Sequence, residues 1–202
     1  MSVYAPTYEG LRVKLKGRDL ESLVERSGAV RVDDRTIGLR CAGREYRIGY
    51  PEGTVADVDG APVDVHLAIL LLLYLLDSTG CEPEGRWVSF EQLPGGLGYL
   101  SSFHGRVVQP ILHAFGPHPE RLLEAARALG GEPMALGDVA VSIPALPRVS
   151  IACVLWRGDE EFRPSASVVF DASVAGYLDT EALVALSELV SRRMVAADAY
   201  AE

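Results

Sequence analysis

The 202-residue chain, 49% hydrophobic and 23% charged, carries enough apolar surface to offset the conformational entropy of folding, which excludes a disordered polymer. Its formal net charge of −9 and the absence of a clustered Lys/Arg stripe exclude a nucleic-acid binder of the usual kind, which meets phosphates with local positive charge. Cys41, Cys81 and Cys153 form no Cys-x-x-Cys pair and predict reduced thiols in a cytoplasmic protein, as does an N-terminus without a basic-then-apolar export signal.

In chain order, Leu11, Val13 and Leu15 alternate with Arg12, Lys14 and Lys16, which predicts a strand with one wet face. Asp19 to Arg26 reads as a short helix with Leu20, Leu23 and Val24 on one side, ended by Gly28. Thr36–Cys41 and Arg44–Tyr50 alternate around Ala42-Gly43, a hairpin signal. Thr54 to Asp59 adds a short strand, and turn chemistry at Asp59-Gly60-Ala61-Pro62 leads to Asp64 as the N-cap of the next helix.

That helix, Asp64 to Asp77, is the most apolar segment of the chain. Leu67 to Leu76 runs ten residues without a polar break, well short of the roughly 20 needed to span a bilayer. A helix that is apolar all round must be covered on most sides, so it is read as the scaffold of the core. Asp64 and His66 are its polar members near the start, and His66 is the one considered for lining a pocket.

Trp87 to Phe90 is a short apolar stretch leading into the loop Gln92-Leu93-Pro94-Gly95-Gly96-Leu97-Gly98. From Tyr99 to Phe115, Phe103, Val107, Ile111 and Phe115 recur every four positions, which predicts an amphipathic helix kinked or split by Pro110 near Gln109. Pro119 opens another helix that ends at Gly130-Gly131. Val139, Val141 and Ile143, then Val149–Trp156 and Ser167–Phe170, read as strands of the main sheet. Asp179 or Thr180 caps a last helix with Leu183, Leu186, Val190 and Met194 inward, and Arg192-Arg193 at the negative end of its dipole. The expectation is an α+β fold in which a mostly antiparallel sheet packs on a buried central helix and several amphipathic ones. It is one domain over residues 1–202, with 1–30 as an N-terminal appendage to a main core at 31–195.

No motif identifies a reaction. His66, His104, His113 and His118 lack the i, i+4 spacing of a helical zinc site, so no metal ligands are assigned. The glycine loop lacks the Lys-Ser/Thr of a phosphate loop and the Gly-x-Gly-x-x-Gly order of a dinucleotide fold, and no Gly-x-Ser-x-Gly is present. The densest polar feature is Arg157-Gly158-Asp159-Glu160-Glu161-Phe162-Arg163-Pro164, between two strands and preceded by Trp156. An acidic loop of this kind binds a cation or an amine, or is a solvated hairpin tip. Asp171, at the far end of the second strand, reads as structural.

The order Trp87-Val88-Ser89-Phe90, Leu93-Pro94-Gly95-Gly96, Tyr99, Phe103, Phe115-Gly116, Leu129-Gly130-Gly131, Leu155-Trp156, Gly158-Asp159-Glu160-Glu161-Phe162 and Phe170-Asp171 resembles domain-of-unknown-function family 3786, over roughly Asp57 to Met194. The resemblance implies a prokaryotic protein placed in anaerobic redox or metallocofactor metabolism, in a family whose members are often joined to an iron–sulfur domain. This chain has no cluster-binding cysteines, so such a partner would be a separate iron–sulfur or redox protein.

The residues then suggest a binding or accessory module that recognises a small molecule, cofactor or redox partner, the cofactor itself unidentified and a membrane or nucleic-acid partner not expected. Gly95, Gly96, Tyr99, His104 and Arg106 form one candidate surface, with Arg106 available to a carboxylate or phosphate. Trp156, Asp159, Glu160, Glu161 and Phe162 form the other. Two alternatives stand beside it: an enzyme using His104 or an acidic-loop carboxylate as general base, with or without a divalent metal, and a non-catalytic partner subunit.

Overall fold

The computed structural model describes residues 3–199. Two antiparallel sheets share one contiguous hydrophobic core with seven α-helices among the described residues. The expected α+β architecture is the one observed.

The N-terminal segment is helix α1 (Ala5–Lys16), where alternation predicted a strand. Leu11 and Leu15 are its buried residues, four apart and so on one helical face, while Val13 between them is exposed. Period two over six residues cannot by itself be told from an i, i+4 pair. Helix α2 (Leu20–Ser27) follows, with the Asp19 side chain accepting the Ser22 N–H and Gly28 left-handed at its end. Strands β1 (Val30–Asp33), β2 (Thr36–Cys41), β3 (Arg44–Gly49) and β4 (Val55–Asp57) then form the first sheet in sequential order. The β2–β3 turn is made by Ala42 and Gly43, both at positive φ, as a two-residue hairpin requires.

Helix α3 (Val65–Asp77) is capped by Asp64, whose side chain accepts the His66 N–H. It lies between α1, α2 and α7 (Thr180–Ala199), and Leu71, Leu72, Tyr74 and Leu75 on it are at most 1% exposed. The Tyr74 hydroxyl donates to the Ser27 carbonyl and accepts the Arg148 N–H, so the polar tip of this core residue is satisfied. Ile69 and Leu73 on the opposite side, and Leu67 in the first turn, are only partly covered. Among the described residues no helix is long and apolar enough to cross a membrane.

The second sheet has the order β5-β9-β8-β7-β6, from strands β5 (Trp87–Ser89), β6 (Glu132–Met134), β7 (Val139–Leu146), β8 (Val149–Trp156) and β9 (Ser165–Asp171). Helices α5 (Gln109–Phe115) and α6 (Arg121–Arg127) pack on this sheet, and α7 packs in turn against those two helices. Helix α4 begins at Gly96 and runs to Phe103, so the last two glycines of the expected loop belong to a helical turn. The split predicted near Gln109 is a π-helical segment, His104–Val108, that joins α4 to α5 without a break, the Gln109 N–H donating to the His104 carbonyl five residues back. Pro110 has no N–H to give to Arg106 one turn earlier, and the wider turn beside it absorbs the loss. Phe103, Val107, Ile111 and Phe115 are all buried, as their spacing predicts.

Candidate functional site

The glycine loop is built by packing constraints. Gly95 has φ 77° and caps α4, and a Cβ on Gly96 would lie 1.9 Å from the Phe90 carbonyl oxygen. Phe90 stacks on Phe103 at 4.1 Å between ring centroids, with Phe170 beside both. The hydroxyl of Thr180, at the start of α7, donates to the Pro94 carbonyl. Tyr99 is exposed on α4, and His104 is exposed on the π segment. Among the described residues no hydrogen bond or ion pair reaches the His104 ring, so nothing orients it as a base.

The acidic segment is the tip of the β8–β9 hairpin. The Asp159 carboxylate accepts the N–H groups of Glu161 and Phe162, and these bonds hold its pKa below the ordinary carboxylate value. The Arg157 N–H donates to Asp138, and its guanidinium lies 3.7 Å from Glu120. An open cleft of about 590 Å³ lies between this tip and Gly116, Pro117 and Pro119. Phe162 is 69% exposed and Trp156 is 42% exposed. Gly95, Gly96, Tyr99, His104 and Arg106 line no part of that cleft, so the two candidate surfaces do not converge there.

Arg106 instead faces α7. Its guanidinium pairs with Glu188, whose other carboxylate oxygen lies 3.8 Å from Arg192. These three side chains border a cleft of about 560 Å³, also lined by Asp64, His66, Leu67, Leu70, Ala185 and Leu189. A second groove of about 310 Å³ adjoins it through the shared residues His66, Leu70 and Ala185 and continues between α1, α3 and α7. His66 is the hinge of the two. Its Nδ1 lies 2.9 Å from the Asp64 carboxylate, and its ring meets the edge of Tyr4 at 4.3 Å. Asp64 accepts the His66 backbone N–H first and the ring second, which lowers its pKa and keeps it ionised.

Sequence reasoning singles out Arg106 and weighs His66, but not Glu188, Arg192 or Leu189 as their companions. It places Arg192 and Arg193 at the end of the last helix. Helix α7 continues to Ala199, which leaves both mid-helix, Arg192 on the cleft and Arg193 donating to the carbonyls of Cys41 and Ala42 and to the Tyr46 hydroxyl. The missed signal is the Glu188-x-x-x-Arg192 spacing, an i, i+4 pair on one helical face.

Among the described residues no group of three His, Cys, Asp or Glu side chains is arranged to hold a metal ion. Cys41 and Cys153 are fully buried, and burial pushes each thiol up to about 12. Cys81 is partly exposed, its thiol 3.7 Å from the Ser173 carbonyl.

No curated protein and no solved structure matches the chain. Residues 19–193, from the N-cap of α2 almost to the end of α7, match a family model, and the chain belongs to the family described as Domain of unknown function (DUF3786).

Proposed function

We propose that the protein is a binding module whose ligand sits in the cleft between α3 and α7. The observation that carries this reading is the convergence, on one cleft, of a paired arginine cluster from the π segment and α7 with an apolar floor from α3. π-Helical turns inside α-helices are frequent at functional sites, and this one presents Arg106. A volume of about 560 Å³ lies within the range of about 300–1,000 Å³ common for small-molecule sites. The enzyme alternative through His104 has no carboxylate partner to support it among the described residues.

The test is a thermal-shift screen of cofactors and metabolites on the wild-type protein and on Ala185→Trp, whose ring fills the space shared by the two grooves. Stabilising compounds that lose their effect in the variant are the expected result. If no compound shifts the melting temperature, or the shifts survive Ala185→Trp, the cleft is not the site.

A second reading, docking of a separate redox protein on the β8–β9 tip, is favoured by the exposure of Phe162, of Trp156 at the end of β8 and of the acidic residues between them. Phe162→Ser would then weaken co-purification with that partner and leave the thermal shifts unchanged.

A further inference from the structure

We infer that the α3–α7 cleft takes an amphipathic anion, with a carboxylate or phosphate held by Arg106 and Arg192 and an apolar body laid along α3. The inference deepens the binding reading above and rests on it.

The charge argument begins with Glu188. Its side chain is 20% exposed, while Arg106 and Arg192 are 54% and 68% exposed. One half-buried carboxylate thus fixes two largely open guanidiniums at a single edge of the cleft. Each guanidinium has five N–H donors in a planar fork, and one carboxylate cannot occupy both forks. The remaining donors suit a second carboxylate or a phosphate, which the fork can grip with paired hydrogen bonds. The cleft sets these two arginines against the carboxylates of Glu188 and Asp64, so on a chain whose net charge is −9 it is a locally balanced stretch in which the uncommitted guanidinium donors can meet an anion.

Polarity then sets the orientation. Away from the arginines the floor is Leu67, Leu70 and Leu189, and the groove beyond His66 is floored by Ile69, Leu73 and Ala182. The far end carries Asp179 and Glu181, with Asp179 accepting the Ala182 N–H as the cap of α7. Two carboxylates there would repel a second anionic group. A ligand with charge at one end and an apolar body satisfies both ends; a dianion charged at both ends does not. The Asp64 carboxylate on the rim is taken up by the backbone N–H and ring of His66, which reduces its opposition to the head group.

Isothermal titration of the full chain with decanoate, decyl phosphate and decanol, each below its micellar concentration, tests the class. The expected result is saturable binding of at least one of the two anions, with decanol at least tenfold weaker; the preferred anion says whether the head is a carboxylate or a phosphate. In Arg106→Gln/Arg192→Gln the anion should weaken at least tenfold with decanol unchanged, and in Ala185→Trp all binding should be lost, melting curves confirming that both variants are folded. Equal binding of decanol and the anions would overturn the inferred class and leave the cleft standing. Anion binding that survives Ala185→Trp, or no binding of any of the three to wild-type protein, would overturn the site as well. The comparison among the three probes is made on the wild-type chain, so it holds even if a variant misfolds.

Discussion

Asp171 is a carboxylate only 9% exposed, and it accepts the N–H groups of Glu84, Gly85 and Ser173. Burial alone would raise its pKa, but the hydrogen bonds from Ser173, Glu84 and Gly85 outweigh it and hold the group below the ordinary carboxylate value. Asp171→Ala leaves three donors at the junction of β9 and the 84–85 loop without their acceptor, a loss of about 1–3 kcal/mol. Because the folded pKa is depressed, the stabilisation is complete above the unfolded value of about 3.9 and is lost as pH falls through the folded one. Denaturant titrations should therefore show the gap between wild type and Asp171→Ala at pH 7 closing below about pH 4; a gap independent of pH would mean that the carboxylate is not the stabilising species. The structural role of Asp171 was legible from its place at the end of a strand. Its partners were not, because Glu84 and Gly85 come to it through the β5–β9 pairing, a contact between segments 87 and 86 residues apart.

At the scale of elements, the Leu-Pro-Gly-Gly segment and the turn after it hold two glycines of opposite consequence. A Cβ on Gly96 would collide with the Phe90 carbonyl, a backbone group that already accepts the Leu93 N–H and cannot swing away. A Cβ added to Gly98, in the first turn of α4, would meet nothing within 4 Å. Gly96→Ala should lower stability by about 1–3 kcal/mol or more through overpacking, whereas Gly98→Ala should raise it by about 0.5–1 kcal/mol through helix propensity. Urea midpoints of the two variants moving in opposite directions would support a packing role; a loss in both would mean that this segment needs glycine for a reason other than the Phe90 contact. Long, strongly patterned elements such as α3, α7 and the β7–β8–β9 strands were readable because their period repeats over several turns or pairs. Helix α1 was not, since Leu11 and Leu15 fit either period and the exposure of Val13 that decides between them depends on what packs alongside. The π segment was readable only as a disturbance: Pro110 predicts a lost hydrogen bond, not that Arg106 would be turned toward Glu188.

The whole molecule depends on how two sheets without a shared strand are joined. The Ala42 N–H donates to the Ala145 carbonyl at 2.8 Å, from the β2–β3 turn to strand β7. Arg193 on α7 completes the joint, its Nη1 donating at 2.7 Å to each of the Cys41 and Ala42 carbonyls while its other arm meets Tyr46. The first sheet is thus held to the helix layer of the second by one guanidinium fork, a link between residues 152 and 151 positions apart that no local pattern announces. Arg193→Met keeps most of the apolar stem and removes the donors, a loss of charged hydrogen bonds to the two carbonyls of about 1.5–3 kcal/mol; Arg193→Lys should recover only part of this, because a point charge does not reproduce the planar fork. Both tryptophans, Trp87 and Trp156, belong to the second sheet, so their fluorescence reports that sheet while far-ultraviolet circular dichroism reports both. In wild type the two signals should share one urea midpoint, as expected for a contiguous core. In Arg193→Met the dichroism midpoint should fall ahead of the fluorescence midpoint as the first sheet loosens locally. Coincident midpoints at the wild-type value would show that the backbone bond and the shared apolar contacts hold the sheets together without the clamp.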